Sequence, residues 1–343
     1  MEILSPIDTI KECKLLMKSG SKELFCGYIP QKWIKRYGTN KDLPACRDGG
    51  PVVNISPNKR GWIKANITLK EELNEFSSEI KANGGKLFIT LNAFYYTSDA
   101  YDLLDEILND LCDSDIYGVI VTDVALIKYI SKNYHNLYIA LSCCNQACNV
   151  EAVDFFVGLG VDRITFPRHI SVKDMIDIVK QRPDTDFEVF VLDGRCIYDD
   201  GNCKAMHNFG NFCKEQWEYN YYKDGGKTSL SYDEMKNSYS AEEYFKHWTK
   251  CLSAWDVSTK GGWQSVSCGA CFVPEFVKYK NIKAMKIAGR GMNTSTKLHL
   301  VRLVNRMLNI AQGENAVFEE MQLVKDTFGI PEYCDNHIRC ITR

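Results

Sequence analysis

The stretch KLFITLNAFYYTSDAYDLLDEILNDLCDSDIYGVIVTD, residues 86–123, contains one full repeat of the pattern that decides the fold. A short β-branched and aromatic run, Lys86 to Asn92, is followed by an amphipathic stretch of helical period at about 99 to 112. A second short run, Tyr117 to Thr122, closes the repeat. Two such runs bracketing a helical period mark a βα unit with parallel strands.

The alternation continues in both directions. Six further runs occur at Ile3-Leu4, Glu23 to Gly27, Leu137 to Leu141, Arg163 to Phe166, Phe187 to Leu192 and Ala284 to Ala288, which makes eight. Helical patterns lie at about 8 to 19, 68 to 83, 124 to 133, 149 to 159 and 171 to 181, and a last one near 294 to 312. Thr68 with Glu71, and Ser171 with Asp174, place a hydroxyl at a helix cap and an acid three residues on, the pairing that satisfies free first-turn amides. Eight parallel strands with crossover helices close into a barrel. The expected fold is therefore α/β, a TIM-like (β/α)8 barrel over residues 1–315, with a C-terminal tail, 316–343, packing on it. An open doubly wound sheet is the alternative, and the strand count favours the barrel.

Two connections are too long for plain βα loops: an insertion at 28–67 after strand 2 and a cysteine-rich insertion at 196–275 after strand 7. Both leave carboxyl ends of strands, the face on which such barrels build their sites. Their aromatic content reads as ordered lids.

The chain has 343 residues, 45% of them hydrophobic and 25% charged, enough for a full core. Its formal charge of −2 lacks the basic excess of a phosphate-tracking surface, which ranks nucleic acid low among partners. Glu2, Asp8 and Glu12 interrupt the start where a signal peptide would be basic and then apolar. No stretch is long enough to span a bilayer. The expectation is a cytoplasmic protein whose 15 cysteines are reduced, and an odd count there points to ligands and buried thiols.

Four cysteines follow strand 7: Cys196 and Cys203 in GRCIYDDGNC, Cys213 in NFC and Cys271 in ACFVPEF. They are too widely spaced for a zinc ribbon, and thiolates in loops suit zinc or an iron–sulfur cluster. Cys268 is an alternative to Cys271 in the same CGAC turn. Cys143, Cys144 and Cys148, after strand 5, are a second thiol set or plain packing. Cys334 and Cys340 either reach the barrel mouth or sit in a frayed tail.

The remaining candidates lie at strand ends. Arg168 and Arg290 follow strands 6 and 8 and suit an anionic group, the alternative being a structural salt bridge. His169 is a candidate general base or simply a helix-start residue. Asp123 is placed with Arg168 and His169 as a catalytic candidate. Asn92, Gln146 and Asn149 join Arg290 as substrate contacts, and helix capping is the ordinary use for such residues. Glu188, inside strand 7, needs a buried partner. The loop aromatics Trp217, Tyr219, Tyr221, Tyr222, Trp248, Trp255 and Trp263 would shield a cluster or form an interface.

Five stretches carry a resemblance: NITLKEELNEFSSEIKANGGKLFITLN, VTDVALI, SCCNQACNVEAVDFFVGLGVDRITFPRHISVKDM, FEVFVLDGRCIYDDGNC and MKIAGRGM. In order, from about residue 3 to 312, the chain resembles the collagenase-like peptidase family U32. The match is densest at E-x-F-x-x-x-G-x-C-x6-C, formed by Glu188, Phe190, Gly194, Cys196 and Cys203. The resemblance implies an iron–sulfur protein of the oxygen-independent hydroxylation type, whose relatives act on quinone precursors or RNA bases. It implies a [4Fe–4S] cluster on Cys196, Cys203, Cys213 and Cys271, with zinc as the alternative metal. The chain departs from the family pattern in three places. Cys213 stands alone where the family often shows two cysteines, Ala288 replaces an acid before Gly289-Arg290, and Arg168-His169 stands for an Arg-Glu pair. The lost carboxylates weaken any shared acid–base chemistry, proteolysis included.

The resulting expectation is an oxygen-independent modifying enzyme acting on a small molecule or a peptide. A peptidase is one alternative, although the chain shows no HExxH and no G-x-S-x-G. A non-catalytic cluster-bearing subunit with a protein partner, or a homo-oligomer, is another. RNA ranks below these, because RNA-modifying members of the family carry extra C-terminal sequence.

Overall fold

The computed structural model describes residues 1–38, 55–61, 65–192, 201, 221–223, 227–231, 233–234, 267–329, 334 and 340–341. In chain order its strands are β1 (Glu2–Pro6), β2 (Ser21–Tyr28), β3 (Asn66–Ile67), β4 (Lys86–Leu91), β5 (Gly118–Val121), β6 (Tyr138–Leu141), β7 (Arg163–Thr165), β8 (Asp186–Leu192), β9 (Tyr221–Lys223), β10 (Thr228–Leu230) and β11 (Ile282–Ile287). Parallel pairing runs β1-β11-β8-β7-β6-β5-β4-β2, and β1 pairs back onto β2, so eight strands close a ring. These are the eight runs read from the sequence, and the fold is the (β/α)8 barrel. The short β3 adds to the outer side of β2, and β9 and β10 form an antiparallel hairpin within the second insertion.

The helices are α1 (Ile10–Lys18), α2 (Gln31–Tyr37), α3 (Lys70–Ala82), α4 (Tyr101–Asp113), α5 (Val124–Asn133), α6 (Val150–Gly158), α7 (Val172–Gln181), α8 (Val273–Phe276), α9 (Thr294–Ile310) and α10 (Ala316–Phe328). In α4, Leu103, Leu104, Ile107, Leu108 and Leu111 repeat at helical spacing and are all buried, which turns one face onto the sheet. Each such side chain contributes about 2 kcal/mol on burial. Three helices were not expected: α2 lies inside the first insertion, the short α8 lies at the end of the second, and α10 lies in the segment expected to be a tail.

Ser171 caps α7 as expected, accepting from the Asp174 amide, while its hydroxyl meets the Asp174 carboxylate at 2.6 Å. Thr68 does not cap α3. The chain stays extended through Leu69, which occupies the cap position without a side-chain bond, and Glu71 and Glu72 favour the first turn by their charge instead.

The barrel interior is layered. Leu4, Phe25, Phe88, Ile120, Ala140 and Ala284 form an apolar layer. Beside it runs a buried ionic network. Arg163 grips Glu23 at 2.6 and 3.0 Å and reaches Glu188 at 3.4 Å, and Lys286 and Thr165 donate to Glu188 at 2.8 and 3.0 Å. Glu188 thus has the internal ion-pair role its burial required. Burial pushes its pKa up, but Lys286 and Arg163 outweigh that and hold it below the ordinary value. Nearer the mouth, Cys143, Cys144, Phe190 and Ile341 pack together, so a residue close to the chain end reaches the barrel. Among the described residues no helix is long and apolar enough to cross a membrane.

Candidate functional site

At the carboxyl ends of the strands, residues 55–61 of the first insertion fold across the mouth. Trp33 on α2 donates to the Ile55 carbonyl at 2.7 Å and Tyr96 to the Pro57 carbonyl at 2.6 Å. Asn58, fully buried, donates to Asn66 at 2.9 Å and accepts from the Arg60 amide at 3.0 Å. Gly27 on β2 makes this approach possible: a Cβ there would lie 1.8 Å from Asn66 Oδ1 and 2.7 Å from Arg290 Nη1.

Arg290 follows β11 and turns into this site. Its Nη1 donates to Thr90 at 2.8 Å and to Asn58 at 3.2 Å, and it is buried. Among the described residues no carboxylate pairs with it. Asp8, whose field reaches it, is held instead by Lys297 at 2.5 Å and by the Gly291 amide at 2.8 Å. Burial first, and the neighbouring Arg60 second, push the guanidinium pKa down to about 9. A charge held at such cost is one that an incoming anion stabilises. Around it, Lys59 lies 4.3 Å from the centre of the Phe94 ring and Arg168 lies 4.8 Å from that of Phe190. Tyr95 beside Phe94 is 72% exposed, an open aromatic face at the same rim.

The other residues expected at the site divide by role. Asn92 accepts from the Lys59 amide at 3.1 Å and so steadies the loop across the mouth. Asp123 caps α5 through the Leu126 amide at 2.6 Å, and burial raises its pKa. Asn149 caps α6 through the Ala152 amide at 2.8 Å. Gln146 takes a left-handed backbone, φ 52°, and its side chain lies where a Cβ on Gly201 would come within 2.4 Å. His169 Nε2 meets Cys148 Sγ at 3.6 Å, a pairing that loops after two different strands create.

Of the four expected metal ligands, Cys196, Cys203 and Cys213 lie outside the described residues, as do Trp217, Tyr219, Trp248, Trp255 and Trp263. Cys271 sits half-buried in a 3₁₀ turn, Ala270–Phe272, that runs into α8. Cys268 is buried, its backbone paired with Leu192 on one side and Cys340 on the other, and its Sγ accepts the Ala270 amide at 3.3 Å. Among the described residues, no three His, Cys, Asp or Glu side chains are grouped so that they could hold a metal ion.

Arg60, Asn58 and Thr90 were not foreseen as site residues. SPNKRG, residues 56–61, does carry a signal, since Pro, Asn and Gly punctuate a turn and two cations sit within it. Thr90 is an inward polar residue in an apolar strand, which the KLFITL alternation reveals only once the barrel face is known.

Residues 56–332 match the family model described as Peptidase family U32. The tRNA hydroxylation protein P1 of Bacillus subtilis (strain 168) is 24% identical over 238 residues, 67% of this chain and 49% of that protein. The tRNA hydroxylation protein P of Helicobacter pylori (strain J99) is 24% identical over 230 residues, 65% of this chain and 48% of that protein. The tRNA hydroxylation protein P of Haemophilus influenzae is 28% identical over 151 residues, 41% of this chain and 32% of that protein. The chain spans about half the length of the first two relatives. Among solved structures, the U32 peptidase Mk0906 aligns with a TM-score of 0.41 at 16% identity, covering 61% of this chain and 77% of that one.

Proposed function

We propose that this chain, which belongs to peptidase family U32, is an iron–sulfur protein that takes part in oxygen-independent hydroxylation of tRNA. The observation that carries the reading is Arg290, a buried guanidinium at the barrel mouth with Arg60 beside it and no carboxylate paired to it among the described residues. The low rank of nucleic acid rests on the net charge of the whole chain and on the extra C-terminal sequence of RNA-modifying family members. Lys59, Arg60, Arg168 and Arg290 concentrate positive charge at one opening, where phosphates would be drawn, and Tyr95 offers a stacking face. The names of the relatives, tRNA hydroxylation proteins, support RNA over a small molecule or peptide as the group modified.

The cofactor this reading requires is a [4Fe–4S] cluster on Cys196, Cys203 and Cys213, with a fourth sulfur from the Cys268–Cys271 turn. Two described points support the fit. Gly201, between the first two ligands, lies against the Cys144 carbonyl, where a Cβ would come within 2.8 Å. Cys268 pairs with Leu192, just upstream of Cys196. When bound, such a cluster supplies one-electron chemistry. The protein's own part is to hold an anionic group on the Arg290 fork, to close the mouth with residues 55–61, and to keep water from the interior with Phe190 and Ile341.

The test is anaerobic purification followed by iron and sulfide analysis, then incubation with tRNA from a strain lacking the gene and mass spectrometry of its nucleosides. Iron, sulfide and a gain of one oxygen on a nucleoside support the proposal. Colourless, iron-free protein sinks it. Activity that appears only with a second protein added makes the chain a cluster-bearing subunit.

A second reading, peptide hydrolysis, has one observation behind it, the 3.6 Å contact between Cys148 and His169. A thiol with an adjacent imidazole is the minimal cysteine nucleophile. Cleavage of a peptide library that disappears in Cys148→Ser would move the assignment there.

A further inference from the structure

Arg290 stands between two glycines in left-handed backbone, Gly289 at φ 108° and Gly291 at φ 82°. Glycine adopts that conformation without steric penalty, and for the same reason it gives the turn no stiffness of its own. The stiffness comes from outside the turn. The peptide unit joining Arg290 to Gly291 is held at both edges: its carbonyl accepts from Arg60 Nη1 at 2.8 Å, and its N–H donates to Asp8 Oδ2 at 2.8 Å. A cation meets the carbonyl and an anion meets the amide, so each hydrogen bond is charge-assisted.

Asp8 belongs to a cluster on the far side of that peptide. Lys297 on α9, its side chain fully buried, donates to Asp8 Oδ2 at 2.5 Å and to Glu12 Oε2 at 2.7 Å. Glu12 also accepts the Asp8 amide at 2.9 Å and the Thr294 hydroxyl at 2.6 Å. Buried ion pairs of this kind are weak sources of stability, because desolvation offsets most of the attraction. Their geometry is the more informative feature. Both donors to Asp8 converge on Oδ2, while the buried Oδ1 meets no hydrogen-bond partner among the described residues. An unmet buried oxygen is a cost that a tie between helices does not require, and here it accompanies a carboxylate aimed at Gly291.

We propose that Asp8 is a positioning residue for the anion site: held by Lys297, it fixes the 290–291 peptide plane and through it the direction of the Arg290 fork. The proposal deepens the reading of Arg290 as a phosphate contact and rests on it. The alternative is a structural bolt that joins α9 to α1 and has no bearing on the ligand.

Binding of unfractionated tRNA to the full chain at several salt concentrations tests this in a double-mutant cycle of Asp8→Ala and Arg290→Gln. Asp8→Ala should weaken binding by about ten-fold and lower the salt slope by about one contact, since a misdirected fork no longer meets its phosphate. Added to Arg290→Gln, the same change should cost nothing further, because its effect passes through the guanidinium. Asp8→Asn keeps an acceptor for the Gly291 amide and should retain part of the affinity; it carries the test if the alanine variant does not fold. A loss that adds in full to that of Arg290→Gln, or that leaves the salt slope unchanged, makes the cluster a bolt and overturns the proposal. Wild-type affinity in the Asp8 variants beside a clear loss in Arg290→Gln overturns it too, and leaves the anion reading standing. If Arg290→Gln itself binds tRNA as wild type does, the anion reading falls and this proposal falls with it.

Discussion

Arg60 Nη1 donates to the carbonyl of Arg290 at 2.8 Å, across a sequence separation of 230 residues. The bond fastens the loop over the mouth to the end of the last barrel strand and sets two guanidinium-bearing residues side by side. The barrel's own acids do not pair with Arg290: Asp8 is committed to Lys297, and Glu23 and Glu188 to Arg163 and Lys286. The positive charge of Arg290 is therefore available to an anionic ligand.

Replacing Arg290 tests that availability. Arg290→Lys keeps the charge but loses the planar fork, and Arg290→Gln loses both. We expect tRNA affinity to fall by about ten-fold in the lysine variant, equivalent to about 1.4 kcal/mol, and further in the glutamine variant. Filter binding at two salt concentrations separates the loss of a phosphate contact, which flattens the salt dependence, from general damage. Equal affinity in all three proteins would remove Arg290 from the site.

Gly27→Ala should disturb the same region from beneath. The added methyl would meet Asn66 Oδ1 at 1.8 Å and Arg290 Nη1 at 2.7 Å. A cost of about 1–3 kcal/mol follows from overpacking, together with weaker anion binding. A thermal melt indistinguishable from wild type would show that the loop yields freely.

Glu188→Gln should destabilise the barrel by about 3 kcal/mol, because it leaves Lys286 and Arg163 short of a buried anion. The pH dependence follows from the sign of the shift. The folded pKa lies below the ordinary 4.5, so this stabilisation is fully present above about pH 4.5 and is lost as pH falls through the depressed value. Wild-type Tm should drop more steeply on acidification than that of Glu188→Gln. Parallel curves in calorimetry would contradict the assignment.

Asp123→Ala and Asn149→Ala separate capping from chemistry. Each side chain accepts a first-turn amide, of α5 and α6 respectively. Loss of a cap costs about 1 kcal/mol, and turnover at saturating substrate should be unchanged. A fall in turnover of orders of magnitude with little change in Tm would return Asp123 to catalysis.

The βα repeat was legible because it is local. KLFITL, GVIV and DFEVFVL announce their strands within a few residues, and Ser171 announces its helix. Thr68 misled, since an extended Leu69 intervenes and the signal is the same whichever residue takes the cap. Helix α2 lay inside an insertion with few periodic positions, and α10 lay beyond the last strand, where no βα rhythm asks for a helix.

By itself the sequence determined the number and order of barrel strands, the face on which a site would lie, and the thiol-rich run after strand 7. Hydrophobic period and strand-end polarity are set by residues a few positions apart. Only the tertiary structure decided that β1 closes onto β2, that Arg290 is buried with Arg60 at its carbonyl, and that Cys148 meets His169. Each of these joins residues distant in the chain, and burial and charge compensation are properties of what surrounds a side chain, which a linear pattern does not contain.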